Sequence, residues 1–459
     1  NRCNCIARVN ASLTVIETRA ETRPHEHHRR RLLRQALSFL EHFLLWRLAF
    51  WEVRLRQTDV VIAGGGLAGS LAAAMLGRAG SDAVMVDPHP VYPPDFRCEK
   101  LDRVQLQTLK LTGVADAVLR ASTPDQEAWV ARFGRVIEKL QATQRGVLYD
   151  TLVNTVRAQI LARTDFVRAK VTEISTGPER QTVKLSNGEE ISARLVVLAT
   201  GLNIGLRQKL GIDREVLSPN HSISTGFDVQ PTGGRTLPFS SLTYFTERPV
   251  DRMAYISVFP IGGGTMRANM FAYRDLHDPW LKQFRDAPQE TLCAMWPGLR
   301  RLMGDFTVPS FVQIRPVDLY ATKGYRQHGV VLVGDAFSSS CPAAGTGARK
   351  ALVDVERLCN VHIPRWLATP GMGEAKIAAY YDDPVKLACD ALSIKKAFGL
   401  RSYSINRTPF WIALRWAKFL AHWGRGTLRR LAAVPATSDS GDEAQDETPA
   451  WARRTPAHK

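Results

Sequence analysis

Gly64 to Gly69 reads GGGLAG, and Gly334 to Gly347 reads GDAFSSSCPAAGTG. Glycine runs of this kind let main-chain amides close round an anion, because no side chain stands where the ligand must approach. In the first run Gly64 permits a tight turn, Gly66 lets the backbone come near a pyrophosphate, and Gly69 lets a helix opened by Leu67 and Ala68 pack closely on a sheet. The free amides and positive dipole end of that helix favour an anion without any lysine. Short glycine patterns also arise by chance among 33 glycines, so the flanking elements decide.

Those elements stand in the required order. Thr58 to Ala63 (TDVVIA) reads as a buried parallel strand and Leu71 to Leu76 as a helix. A second strand, Asp82 to Val86, ends at Asp87, 21 residues beyond Gly66, where a carboxylate can accept hydrogen bonds from ribose hydroxyls. Together these make a dinucleotide-binding fingerprint. Arg194 to Gly201 (RLVVLATG) predicts another core strand, and Gly329 to Val333 a third, followed by a helix over Gly345 to Leu358. Between them SISTGFDV, SLTYFT, MAYISVF and TMRANMFAY alternate with Pro and Gly turns, predicting a largely antiparallel substrate domain. Phe166 to Ile174 and Thr182 to Leu185 predict a β-meander over the first sheet. The fold class expected is α/β: a Rossmann-like nucleotide domain, a mostly antiparallel β substrate domain and a helical C-terminal region.

The late segment GVVLVGDAFSSSCPAAGTGARKALVDVERL resembles the group A flavoprotein monooxygenases, the para-hydroxybenzoate hydroxylase fold, and the likeness covers about residues 57 to 365. The resemblance implies FAD. Asp335, after Gly334, would hold the ribityl chain, and Pro342, Ala343, Ala344, Gly345, Thr346 and Gly347 would run along the isoalloxazine ring. Arg97, in FRCEKL, matches an arginine near the FAD ribose or pyrophosphate, its other reading being an ordinary surface arginine. The family further implies NAD(P)H as a transient hydride donor and O2 captured by reduced flavin as a C4a-hydroperoxide in a dry pocket. One oxygen atom would then enter an aromatic or lipid-like small organic substrate.

Two departures matter. Ala199, Thr200 and Gly201 stand where the family has Asp-Gly, which leaves the hydride donor open, and Phe337 and Ser338 stand where a His is common. His221, Tyr244, Tyr255, Tyr273 and Arg315 are available as acid, base or hydrogen-bonding groups, with nothing to choose among them, so the catalytic set stays open. Rival readings are a flavin-dependent halogenase, a geranylgeranyl-reductase-like enzyme and a non-catalytic FAD-binding module. The WxWxIP signature of tryptophan-halogenase-like members is absent.

Charge is concentrated at the ends. Residues 1–56 and 394–430 carry +15 of the net +17, so the body is not a polycation and nucleic-acid binding loses its support. Leu37 to Phe50 reads as an amphipathic helix too short and too charged to span a bilayer. Pro409 to Arg425 places Ile412, Trp416, Phe419 and Trp423 on one helical stripe beside Arg415, Lys418, His422 and Arg425. Docking on the body and peripheral membrane contact both fit such helices. Seven cysteines without a CxxC pair point to reduced thiols and a cytoplasmic setting, membrane-associated at most peripherally. The domains expected are a basic extension (1–56), an FAD-binding domain in two parts (57–210 and 318–365), a substrate domain (211–317), a helical region (366–434) and a disordered tail (435–459). The oligomeric state is open.

Overall fold

The computed structural model describes residues 56–141 and 144–432. The expected N-terminal helix and disordered tail lie outside them. A seven-stranded sheet runs in the order Asp165–Val167, Ala83–Val86, Arg56–Ala63, Glu190–Leu198, Gln181–Leu185, Val171–Ser175, with Val330–Leu332 also paired to Glu190–Leu198. Its core pairs are parallel. Ala63 lies beside both Val86 and Leu198, and Leu198 beside Leu332, so four strands end at one edge and the loops after them stand side by side. This register positions the site, as ligand sites at the carboxyl ends of parallel strands require.

The strand Arg56–Ala63 is apolar without alternation because both sheet faces are covered: Val60 and Ile62 join one buried cluster, Val61 and Ala63 another. The helices Leu67–Arg78 and Gly347–Arg357 cover the first face. Phe166 lies in the edge strand Asp165–Val167 and Ile174 in Val171–Ser175 at the other end of the strand order, so Phe166 to Ile174 is two strands joined by Arg168 to Lys170. The antiparallel run Val171–Ser175, Gln181–Leu185, Glu190–Leu198 is the expected meander, and its Ile174, Val183 and Leu185 share one buried cluster with Val61, Val84 and Val86, covering the face opposite the two helices.

The second sheet has eight strands in the order Phe306–Thr307, Asp213–Pro231, Met266–Ala272, Met253–Pro260, Ser241–Phe245, Glu127–Arg132, Arg135–Gln141, with Gln313–Lys323 paired to Asp213–Pro231. Every pair is antiparallel except Ser241–Phe245 with Glu127–Arg132. Three short helices, Pro279–Asp286, Pro288–Met295 and Pro297–Met303, each begin at a proline, whose missing N–H costs nothing at a helix start, and bury Phe284, Leu292 and Leu299 with Phe227 and Tyr244 of the sheet. The hairpin over residues 127–141, to which sequence reasoning assigned no element, turns at Phe133 (φ 55°) and Gly134 (φ 69°).

That hairpin receives the C-terminal helix Pro409–Ala432. Phe133 stacks on Trp416 and meets Phe419 edge-on, and a Cβ on Gly426 would stand 2.2 Å from the Ile137 carbonyl oxygen, so only glycine allows this approach. Arg415 is buried, donating to the Tyr403 and Asn406 carbonyls at 2.7 Å. One face of this helix therefore docks on the body, while Trp416, Leu420 and Trp423 remain about half exposed.

Candidate cofactor and active site

The two glycine runs meet. A Cβ built on Gly334 would stand 3.7 Å from the Ala68 Cβ, across a sequence separation of 266 residues. Gly64 to Ala68, Asp87 and Arg97 line a single cavity of about 1600 Å³ together with Gly334, Asp335 and the Pro342 to Gly347 loop. Gly69 lies behind it, with no space for a Cβ: one would come within 1.8 Å of the Gly64 carbonyl oxygen. Gly64, at φ 103°, likewise has no space for a side chain: an added Cβ would stand 2.6 Å from the Ala199 carbonyl oxygen. Gly66 is different. Its nearest neighbour to an added Cβ is Tyr149 Oη at 3.9 Å, so the protein leaves that space to the cavity.

The loop is held from beneath. Asp87 Oδ2 accepts from the Gly65 N–H at 2.7 Å, and Oδ1 accepts from the His89 N–H at 2.8 Å. Arg157, at the end of the helix Tyr149–Arg157, donates to the Gly65 carbonyl and pairs with Asp87 at 3.4 Å. Sequence reasoning missed Arg157; its only signal is one cation on the apolar side of a helix whose Leu152, Val153 and Val156 are buried.

Arg97 is gripped as well. Its guanidinium forks onto Asp95, donates to Tyr92 Oη at 2.9 Å and lies 3.7 Å from the centre of the Tyr149 ring. Burial would weaken its charge, but Asp95 more than compensates and the pKa rises. A cation so fixed at the cavity wall can meet a phosphate or ribose oxygen without losing side-chain entropy.

The Asp335 carboxylate has no hydrogen-bond partner among the described residues, although it lines the cavity. Burial pushes its pKa up, against the pull of Lys350 and Arg97. A half-buried, unpaired carboxylate is costly unless a ligand's donors reach it. The Gly334–Asp335 turn is itself well tied: the Gly334 N–H donates to Asp354 at 2.8 Å, Tyr320 Oη donates to the Asp335 carbonyl, and buried Arg207 donates to the Ala336 carbonyl. Arg207 and Asp354 were also missed. Glu99, on the strand Cys98–Leu101, adds a second cavity-lining carboxyl whose pKa burial lifts, with Arg97 opposing.

The structure sorts the five candidate polar residues of the substrate domain. Tyr255 and Arg315 line the cavity, whereas His221, Tyr244 and Tyr273 are buried away from it. Tyr255 Oη donates to the Ala343 carbonyl at 2.7 Å, joining the substrate sheet to the Pro342 to Gly347 loop. Arg315 stands 4.8 Å from the Phe96 ring. Tyr244 Oη instead donates to Glu247 and accepts from the Gly134 N–H, which braces the hairpin. Phe245 and Phe271 pack against the Tyr255 ring and, with Phe259, give the cavity an apolar wall; Thr200 and Gly201 line it as well.

FAD fits this arrangement: an open cradle at Gly66 before a helix start, a fixed cation at Arg97 and an unpaired carboxylate at Asp335 suit a pyrophosphate and a polyhydroxyl chain. A family model described as "FAD binding domain" matches residues 57–376. Among characterised relatives, aklavinone 12-hydroxylase of Streptomyces peucetius subsp. caesius is 25% identical over 332 residues, 64% of this chain and 65% of that protein. The chain thus spans just under two thirds of that relative's length. The 3-demethoxyubiquinol 3-hydroxylase of Escherichia coli K12 is 26% identical over 327 residues, 67% of this chain and 80% of that one. Among solved structures, p-nitrophenol 4-monooxygenase of Pseudomonas putida DLL-E4 superposes with a TM-score of 0.66 at 17% identity, covering 81% of this chain and 95% of its own. The aklavinone-11 hydroxylase complex with FAD and aklavinone gives 0.62 at 18%, over 76% and 69%. The flavin-dependent brominase Bmp2 gives 0.61 at 18%, over 85% and 100%. At these identities the structural likenesses carry the fold alone.

Proposed function

This chain belongs to the FAD-binding domain family, with group A flavoprotein monooxygenases among its homologues, and we propose that it inserts one atom of O2 into an aromatic or lipid-like small organic substrate at the expense of NAD(P)H. The observation that carries the reading is the convergence of Gly66, Arg97 and Asp335 on one cavity whose far wall is Phe245, Tyr255, Phe259 and Phe271. Bound FAD, once reduced, supplies the oxygen activation.

The chain's own residues do the rest. The helix start at Leu67 and the Arg97 guanidinium would hold the pyrophosphate end, and Asp335 would accept hydrogen bonds from the ribityl hydroxyls. The loop Gly345 to Gly347, which lines the same cavity, would offer its amides to negative charge on the ring. The aromatic wall excludes water and orients an apolar substrate, and Tyr255 holds that wall to the ring-side loop through Ala343. A cavity of about 1600 Å³ exceeds the ~1000 Å³ upper range of single small-ligand sites, which leaves room for a dinucleotide and a second molecule. A cytoplasmic setting belongs to the same reading.

The test is purification of the chain, its flavin spectrum, and NADH or NADPH oxidation with O2 uptake across candidate phenols and quinols. Substrate-stimulated, oxygen-dependent oxidation with a hydroxylated product supports the reading. Chloride- or bromide-dependent turnover would replace it with a halogenase, anaerobic turnover with a reductase, and a yellow protein that oxidises no nicotinamide with a binding module.

A further inference from the structure

The outward face of the helix Pro409–Ala432 carries Ile412, Trp416, Leu420 and Trp423, spaced four, four and three residues apart and hence in one stripe. They are 43%, 52%, 54% and 50% exposed, and Phe410 at the helix start is 67% exposed. Single exposed apolar residues are ordinary, whereas a continuous row of them marks an interaction surface. From Ile394 to Arg430 the chain holds nine lysines or arginines and no acid. Indole rings beside like-signed cations suit an anionic bilayer, which accepts apolar insertion and charge of one sign without demanding a matched shape. No helix among the described residues is long and apolar enough to cross a membrane, so this one would lie along the surface.

The helix Pro409–Ala432 and the preceding helix Pro384–Ile405 both reach the cavity, which Phe419 and His422 of the first and Leu400 and Tyr403 of the second line. Phe419 and His422 flank the exposed stripe on one side of the helix. We propose that the helix Pro409–Ala432 rests in the surface of an anionic membrane and sets the cavity mouth against it, so that an apolar substrate passes from lipid to the aromatic wall without crossing water. The fate of that substrate rests on the oxygenase reading; the membrane contact does not.

The full chain is mixed with vesicles of phosphatidylcholine containing about one third phosphatidylglycerol, or of phosphatidylcholine alone, and sedimented. We expect sedimentation with the anionic vesicles, at least ~10-fold weaker binding to the neutral ones, weakening by salt, and a shift of tryptophan emission to shorter wavelength. The variant Leu420→Glu/Trp423→Glu should lose at least ~10-fold in vesicle binding while far-UV circular dichroism, flavin absorbance and nicotinamide oxidation with a water-soluble phenol stay unchanged. The milder Leu420→Ser/Trp423→Ser should lose binding in the same direction, which keeps the test valid if the glutamates unfold the helix. Protein that stays in the supernatant, variants that sediment like the native chain, or a native dimer that the variants dissociate would each overturn the proposal. Colourless protein that still binds vesicles would instead sink the oxygenase reading and leave this one standing.

Discussion

Gly334 packs on Ala68: a Cβ added to the glycine would stand 3.7 Å from the alanine's own. The contact joins the loop after the first core strand to the loop after the last, because Ala63 and Leu332 both end beside Leu198. The two glycines Gly66 and Gly69 can be separated experimentally on this basis. Gly66→Leu has room for its Cβ and should fold, yet its side chain fills the cradle, so FAD affinity should fall by at least ~100-fold, about 2.7 kcal/mol. Gly69→Ala drives a methyl into the Gly64 carbonyl and should cost about 3 kcal/mol of stability. Flavin titration and urea denaturation of both variants distinguish the two roles.

Asp335→Asn should weaken FAD by about 10- to 100-fold, or 1.4–2.7 kcal/mol, since the amide is a poorer acceptor for ribityl hydroxyls. The flavin-free protein should be no less stable than native, because a half-buried carboxylate without a hydrogen bond is itself a burden on the fold. Flavin fluorescence and thermal melting of stripped protein measure the two quantities separately.

Arg157→Met removes the donors to the Gly65 carbonyl and the cation beside Asp87. A stability loss of about 2–3 kcal/mol is expected, with weaker FAD binding as a consequence of a loosened loop. The check is urea denaturation with and without saturating FAD. A role confined to the ligand would leave the flavin-free midpoint unmoved.

His221 is buried between Ser218 and the Ala397 carbonyl, with Arg401 at 3.4 Å. Burial first, and Arg401 second, lower its pKa to about 4. Its folded pKa lies below the unfolded one, so as pH falls the unfolded chain takes up the proton first. Stability should therefore drop from about pH 6.5 to about 4 and level off below, by at most ~3 kcal/mol from this group. His221→Asn should flatten that part of the curve of unfolding free energy against pH.

The core strands of the nucleotide half were legible because parallel core strands are apolar on both faces and end in glycine or a carboxylate, as TDVVIAGGG, Asp87 and VVLVGD do. Gly64, Gly66 and Gly69 all match the turn pattern, yet their geometry shows two that serve packing and one that leaves space, a difference only three-dimensional neighbours define. Asp87 was read as a ribose acceptor; the structure shows both of its oxygens also holding main-chain N–H groups. Arg157 and Arg207 were out of reach, since each supports a loop far away in sequence, whereas Asp354 stands inside the late segment itself, 20 residues after Gly334, on a helix whose periodicity does not show which loop it meets. The hairpin over residues 127–141 escaped for a related reason. Its turn at Phe133 puts an aromatic residue at positive φ, where Asn or Gly is the usual signal, and the C-terminal helix more than 280 residues later stabilises that choice.

The cofactor content of the purified chain tests the central claim most directly. Released flavin, identified as FAD by its mass and counted against protein, should amount to one per chain, and Gly66→Leu and Asp335→Asn should each lower that occupancy while leaving the fold intact. A colourless chain that also refuses added FAD, or FAD retained undiminished by both variants, would contradict the account.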